Sequence, residues 1–269
     1  MTTNANIPSE PGVYPNVPFA DYLRIKAWNH SPLSVGVKYP MTHVRHARDF
    51  SSDTPSASMR IGSALHAWML EREKYPSIVA IAPDVDRRTK AGKEAWGVFE
   101  FASIGKVIIT AEEEATVKAM GAAIGMHPRA RKLALTAGER ECVVIWRDES
   151  TGLLCKARID KLIRTAGIGV DIKTTRDASP DAFERSVLDY CYYTQLAFYA
   201  DGWKAATGEE LSFFILAVEN DSPHGVAVYQ IDDETMDIGR FEMRRVLAEV
   251  AACEKSGRWT GYADAVIPI

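Results

Sequence analysis

The chain has 269 residues, of which 46% are apolar and 25% are charged, and its formal net charge is −4 at pH 7. This composition is typical of a soluble globular protein. The negative net charge argues against a basic nucleic-acid coat protein, but it permits an enzyme that holds nucleic acid in a local basic channel. The sequence contains no GxxxxGK(S/T) motif, so no nucleotide cofactor is expected.

The cysteines and the apolar segments restrict the cellular setting. The spacings between Cys142, Cys155, Cys191 and Cys253 match neither a zinc ribbon nor a redox motif, so reduced thiols and a cytoplasmic location are expected. The N-terminus lacks the basic and apolar regions of a signal peptide. The strongest apolar run, LSFFILAV, is too short to cross a membrane and indicates a buried strand, so no membrane partner is expected.

The first half of the chain has mostly helical patterns. Residues 1–18 are rich in Pro, Asn and Gly, and we expect them to form a flexible arm. Residues 19–135 have apolar residues at helical spacing, with breaks at prolines. Thr110 is followed by Glu113 at the spacing of a capping box, which predicts the start of a helix. This part of the chain is therefore predicted to be helical.

The second half alternates between strand and helix patterns. Residues 139–255 contain short runs typical of strands, and Ser179 followed by Pro180 predicts the start of a helix between two of them. Residues 256–269 are predicted to be a C-terminal tail. We predict one domain over residues 19–269, in which a helical N-terminal half packs on an α/β core with a mixed, mostly antiparallel sheet.

The segment KARIDKLIRTAGIGVDIKTT reads as two short strands joined by a turn, and each strand carries an acid. Because side chains alternate along a strand, a two-residue turn at Thr165 and Ala166 places Asp160 opposite Asp171. Their Cβ atoms would then be roughly 4.5–5.5 Å apart. A four-residue loop gives the same facing, whereas a bulged three-residue loop does not.

Two opposed carboxylates repel each other unless a cation lies between them, and Mg²⁺ prefers oxygen ligands. Lys173 lies on the same strand face as Asp171 and could stabilise charge on a phosphate. The combination favours metal-assisted hydrolysis of a phosphodiester. The alternative is that Asp160 pairs with Lys161 or Arg158, and that Asp171 is a surface residue at a strand end.

The order of Asp160, Asp171 and Lys173 resembles the D…(D/E)xK pattern of the PD-(D/E)xK nuclease superfamily, with Ile159 in the place of the usual proline. The resemblance implies a restriction-endonuclease-like core, in which a mixed, mostly antiparallel sheet is flanked by helices.

Further segments resemble one branch of this superfamily. GSALH, which contains His66, resembles the GxxxH motif of RecB-like and RecE-like nucleases, and QLAFY resembles their QxxxY motif with Gln195 and Tyr199. ECVVIW…TGLLCKARID is similar to the entry strands of the RecE-type (exonuclease VIII C-terminal) family, in which the acid before the first strand matches Glu141, with Glu139 as the nearby alternative. The resemblance covers nearly the whole chain.

The resemblance implies a set of site residues and a cofactor. It implies catalytic roles for Lys173, Asp160, Asp171, Gln195 and Tyr199. It implies a metal held by His66, Glu141, Asp160, Asp171 and the backbone carbonyl of Ile172. The expected metal is Mg²⁺, with Mn²⁺ as a substitute that suits a histidine ligand better. No Fe–S cluster is expected, since the cysteine cluster of the Fe–S members is lacking.

Basic residues supply candidate contacts to DNA. The proposed contacts are Arg87, Arg88, Lys90, Lys93 and Arg158. A second basic cluster contains Arg129, Arg131 and Lys132. The alternative for either cluster is a solvated helix face.

The resemblance implies a 5′→3′ exonuclease that acts on the ends of linear duplex DNA and generates single strands for phage or prophage recombination. It also implies a RecT-like single-strand annealing partner and a homo-oligomeric ring. Two alternatives remain open. One is a structure-specific or restriction-type endonuclease on the same core, and the other is a catalytically inactive DNA-binding relative.

Overall fold

The structure is a computed structural model that describes residues 7–50 and 55–265. The first half of the chain is mostly helical, and the second half contributes most strands of a central sheet. In chain order they are β1 (Gly12–Tyr14), α1 (Phe19–Arg24), α2 (His30–Lys38), α3 (Met41–Asp49), α4 (Ala57–Leu70), α5 (Tyr75–Ile78), β2 (Val79–Ile81), α6 (Lys90–Ala102), β3 (Val107–Ile109), α7 (Ala111–Met126), α8 (Pro128–Leu135), β4 (Glu139–Arg147), β5 (Leu154–Ile163), β6 (Ile168–Thr175), α9 (Pro180–Asp189), α10 (Tyr192–Thr207), β7 (Ser212–Glu219), β8 (Val226–Tyr229) and α11 (Asp233–Ser256).

The central sheet has six strands in the order β1-β4-β5-β6-β7-β8. Strands β6 and β7 are parallel, and the other neighbouring pairs are antiparallel. The predicted mixed, mostly antiparallel sheet with flanking helices is therefore confirmed. No helix among the described residues is both long enough and apolar enough to cross a lipid bilayer.

Three short strands depart from the sequence prediction. The expected flexible arm, residues 1–18, contains β1, which pairs with β4 at one edge of the sheet, while residues 1–6 lie outside the described part. The predicted helical part also contains β2 and β3, which form a separate parallel pair. Each of these strands has only three residues, which is too short for the period-two pattern that identifies strands in a sequence.

Apolar cores lie on both faces of the sheet. On one face, α10 packs against β4, β5 and β7 around Trp146, Phe198 and Trp203, and α11 packs on α10. On the other face, α4 and α7 pack against β6 and β7 around Leu65 and Met120. The second core attaches α4 to the sheet and places it next to β6, whereas α2 and α3 pack in the first core through Leu33 and Met41.

Two buried lysines of β5 form hydrogen bonds with backbone carbonyl groups at the C-terminal ends of helices. Lys156 Nζ donates hydrogen bonds to the carbonyl oxygens of Tyr22 and Ile25, at 2.8 Å each, at the end of α1. Lys161 Nζ donates to the carbonyl oxygen of Ala134 in α8 at 2.7 Å. A cation is favourable at the carbonyl end of a helix. Burial nevertheless lowers the pKa of Lys156 to about 8.

The contact between α10 and β4 offers a test of this packing. A Cβ atom added at Gly202 would lie 2.6 Å from the buried indole of Trp146, whereas at Gly97 on α6 no atom lies within 4 Å. We expect Gly202→Ala to lower the free energy of unfolding by about 1–2 kcal/mol, because overpacking outweighs the gain in helix propensity. Urea denaturation would measure it, with Gly97→Ala as the matched control that does not destabilise the protein. Equal stabilities of the two variants would contradict the packing.

Candidate active site

The β5–β6 hairpin carries the two acids of the D…DxK pattern. The strands pair Lys161 with Val170 and Ile163 with Ile168, in the register that the sequence predicts. The connection is a four-residue loop over residues 164–167, one of the two loop lengths that keep this register. The hydrogen-bonded pairing of β5 with β6 ends at Lys161 and Val170. If the same register is continued by one residue, Asp160 lies opposite Asp171.

The regular alternation of side chains changes phase at Asp160. Ile159 and Leu162 both pack in the core beneath α10, although strict alternation would place them on opposite faces of the sheet. Lys161, between them, extends to the other face and contacts α8. On β4, the facing residue Glu141 has a left-handed backbone with φ = 50°. This conformation is costly for a residue with a side chain and is often found at functional sites. The distortion leaves Glu141 and Asp160 together between two regular stretches of ladder.

His66 of α4 completes a cluster with these two acids. Its Nδ1 lies 3.5 Å from Asp160 Oδ2, and its Nε2 lies 2.9 Å from the carbonyl oxygen of Ile172. Since a carbonyl can only accept, Nε2 is the donor and Nδ1 faces the acids. Asp160 Oδ2 in turn accepts a hydrogen bond from the backbone N–H of Ile172 at 2.9 Å. Strand β6 therefore orients both side chains through the backbone of one residue.

The charges of the cluster are strongly coupled. Burial, together with the negative charge of Asp160, raises the pKa of Glu141 to about 7 against the opposing effect of Arg158. Arg158 Nε lies 2.9 Å from Glu141 Oε2. Burial would lower the pKa of His66, but Asp160 and Glu141 outweigh burial, so that its pKa is raised. Glu141 and His66 therefore bind protons more tightly than they would as isolated side chains. The excess of negative charge that causes this also favours the binding of a metal cation.

Asp171 and Lys173 form the second half of the site. Asp171 is 3% exposed; its Oδ2 lies 2.7 Å from Lys173 Nζ, and its Oδ1 accepts a hydrogen bond from Gln195 Nε2 at 3.1 Å. Burial raises the pKa of Asp171, and Lys173 opposes this. Burial lowers the pKa of Lys173, but Asp171 and Asp160 outweigh it and the pKa is raised. Tyr199, one turn along α10 from Gln195, lines the same cleft.

The residues present fit a divalent cation. One nitrogen of His66 and one oxygen each of Glu141 and Asp160 all lie within 4.8 Å of one another. Opposite ligands of one Mg²⁺ ion are roughly 4.2 Å apart, so small side-chain shifts suffice. The His66 Nε2–H bond to the Ile172 carbonyl is the type of outer contact that fixes a metal-binding histidine. A set of two carboxylates and one imidazole suits Mn²⁺ as well as Mg²⁺.

The other two predicted ligands have different contacts. Asp171 is not a member of this cluster, and its two oxygens lie against Lys173 and Gln195. The Ile172 carbonyl, predicted as a direct ligand, accepts the hydrogen bond from His66. Both assignments therefore stay predictions.

The site opens into a cleft of about 1750 Å³. Asp160 and Lys173 lie in its wall, together with Arg158. Of the other predicted DNA contacts, Arg87, Arg88, Lys90 and Lys93 are exposed and are not among the described residues that line the cleft. They lie on or just before α6.

Sequence reasoning missed several partners of the site. The ion pair of Arg158 with Glu141 was not predicted, although both residues were named separately. His30 was not predicted either; it is buried, its Nε2 lies 2.9 Å from Thr194 Oγ1, and burial lowers its pKa to about 3, helped by Lys173. In the structure Val143 pairs with Arg158 across β4 and β5, which brings Arg158 near Glu141.

The fold and the site together define a PD-(D/E)xK core. The chain matches the family described as the PDDEXK-like domain of unknown function (DUF3799) over residues 39–266. It therefore belongs to this family.

Among solved structures, the chain is similar to one from Eubacterium rectale that carries a provisional exonuclease assignment. The identity is 17% over 85% of this chain and 82% of that chain, with a TM-score of 0.59, which supports the fold. The structure of SSO0001 aligns at 13% identity over 86% of this chain and 87% of that chain. Its TM-score of 0.30 is too low to support a shared fold. No curated protein matches the sequence. The family and the fold support a nuclease, and the finer assignment to RecE-type enzymes rests on the motifs alone.

The raised pKa of Glu141 gives a test of the cluster. Below pH 7, Mn²⁺ must displace a proton from Glu141, and His66 also holds its proton more tightly than a free imidazole, so the Mn²⁺ affinity should fall by roughly tenfold or more per pH unit on acidification. Isothermal titration calorimetry from pH 6 to 8 would measure this. Glu141→Gln should bind Mn²⁺ more weakly at pH 8 and with a shallower pH dependence. An unchanged slope in the variant would remove Glu141 from the cluster.

Proposed function

We propose that the protein is a metal-dependent deoxyribonuclease that hydrolyses phosphodiester bonds. The observation that carries the proposal is the cluster of His66, Glu141 and Asp160 beside Lys173, in the wall of an open cleft. A divalent ion held by this cluster would stabilise negative charge on the scissile phosphate and make water a stronger nucleophile.

The protein side chains supply position and charge. Asp171 holds the ammonium group of Lys173 at the edge of the cleft, where it can face a phosphate oxygen and stabilise its developing charge. Gln195 fixes Asp171 from the other side, so that the carboxylate cannot rotate away. Arg158, 16% exposed in the same wall, offers a second cation to a DNA phosphate. This arrangement supports cleavage of a strand whose backbone runs along the cleft.

The finer proposal is a 5′→3′ exonuclease that acts on the ends of linear duplex DNA in phage or prophage recombination. It includes a homo-oligomeric ring and a RecT-like single-strand annealing partner. Its support is the order of the motifs around His66, Glu141, Asp160 and Lys173. The exposed positions of Lys90 and Lys93 on α6 support a DNA contact outside the cleft, since flexible cations bind phosphates without a built pocket.

Lys173 separates chemistry from binding. Lys173→Ala should retain Mn²⁺ and DNA affinity within a few-fold, while cleavage falls by roughly 10²–10⁴. Lys173→Arg should not restore cleavage, because the planar guanidinium does not reproduce the ammonium position beside Asp171. Release of nucleotides from labelled linear duplex would measure both. Lys204→Ala, an exposed lysine on α10, is the matched control. Near wild-type cleavage by Lys173→Ala would defeat the assignment.

The type of nuclease is tested by the form of the DNA. An exonuclease should digest linear duplex and leave covalently closed circles intact, with Mg²⁺ or Mn²⁺ and not with EDTA. Duplexes labelled at the 5′ or the 3′ end would show the polarity, and early release of the 5′ label is expected. Cleavage of closed circles would instead establish an endonuclease. Binding without turnover in either metal would establish an inactive DNA-binding relative.

A further inference from the structure

Two tyrosines extend from Lys173 to the rim of the cleft. Lys173 Nζ lies 4.8 Å from the centre of the Tyr192 ring, and the Tyr192 ring stacks on Tyr190 with centroids 5.7 Å apart and an interplanar angle of 25°. Both tyrosines line the cleft, and Tyr190 is 67% exposed. One face of an aromatic ring is therefore presented to solvent a short distance from the proposed reaction centre.

The local backbone holds the two rings together. Cys191, which lies between them, has a left-handed conformation with φ = 55°, at the junction of α9 and α10. The Tyr190 N–H donates to the carbonyl oxygen of Ser186, which closes α9. A non-glycine residue in this conformation costs free energy, and such residues persist where the surroundings require a particular geometry. The stacked pair is thus built into the helix junction.

Further apolar side chains are exposed in the same cleft. Phe19 is 55% exposed, Leu23 61% and Met59 63%, and all three line the cleft. The same walls carry several cations, namely Arg72, Lys74, Arg140, Arg158, Lys173 and Arg176. A mixture of cations and exposed aromatic faces fits a nucleic-acid strand, whose phosphates and bases require both.

Inside a duplex both faces of every base are covered by its neighbours, and only the terminal pair has one free face, so an exposed ring at this place fits the bases of an unpaired strand best. We propose that Tyr190 is a substrate-positioning residue that stacks on an unpaired base of the DNA strand entering the site. The inference deepens the proposed function, because it names the strand form that the cleft accepts. On this basis the enzyme binds frayed ends and single-stranded segments more tightly than closed duplex.

The test is binding without cleavage. Fluorescence anisotropy in EDTA would measure the affinity of the 269-residue chain for a labelled single-stranded oligonucleotide. Tyr190→Ala should weaken binding by roughly 5- to 100-fold, the usual effect of removing one stacking ring. Tyr190→Phe and Tyr190→Trp should retain affinity, whereas Tyr190→Leu, which is apolar but has no ring, should not. Tyr262→Ala, an exposed tyrosine against His43, is the matched control and should bind as wild type does.

An oligonucleotide of abasic residues separates stacking from folding defects. Wild type and Tyr190→Ala should bind it equally, because no base is present to stack. Equal binding of the base-containing oligonucleotide by wild type and Tyr190→Ala would overturn the inference. A deficit of the variant on the abasic strand would also overturn it, because the defect would then be structural. These measurements need no turnover, so a failure of the nuclease assay is distinguishable from a failure of the stacking proposal.

Discussion

The ion pair between Lys173 and Asp171 fixes the position of the cation that is proposed to act in cleavage. A carboxylate that is 3% exposed is costly to bury as an anion unless a cation and a hydrogen-bond donor meet it. Lys173 Nζ, at 2.7 Å, and Gln195 Nε2, at 3.1 Å, provide both. Because Gln195 belongs to α10, the same contacts join β6 to the helix that covers the sheet. The ammonium group is thereby fixed at the edge of the cleft rather than left to move in solvent.

Ile172 joins the other half of the site to the same strand. Its N–H binds Asp160, and its carbonyl oxygen accepts from His66, so one backbone residue orients an acid of β5 and a histidine of α4. The apolar core around Leu65 and Val170 brings α4 to that position. The helical N-terminal half is therefore needed for the site, because it supplies the one cluster member that the sheet cannot provide. The loss of a regular ladder beyond Lys161 frees the Ile172 N–H for this role.

Sequence patterns predicted the sheet and the hairpin register but not the distortion within them. Side-chain alternation together with a loop of two or four residues predicted the β5–β6 register, in which Val170 lies opposite Lys161. The phase change at Asp160 and the left-handed backbone at Glu141 carry no signal, because neither position is a glycine. The ion pair of Asp171 with Lys173 could not be predicted from the sequence either. A sequence shows that the two share a strand face, but it does not show whether the acid faces a metal or the lysine.

The balance of charge explains how an acidic protein can keep these carboxylates together. Each of the three acids has a cationic side chain or an imidazole within 3.5 Å. The pairs are Glu141 with Arg158, Asp171 with Lys173, and Asp160 with His66. The raised pKa values of Glu141 and His66 show that protons also contribute to this balance. A divalent ion entering the cluster would therefore replace protons rather than add to an existing positive charge. Lys173 pairs with Asp171, which is not a member of this cluster, so the cation proposed to contact the phosphate is not paired with any of the three cluster side chains.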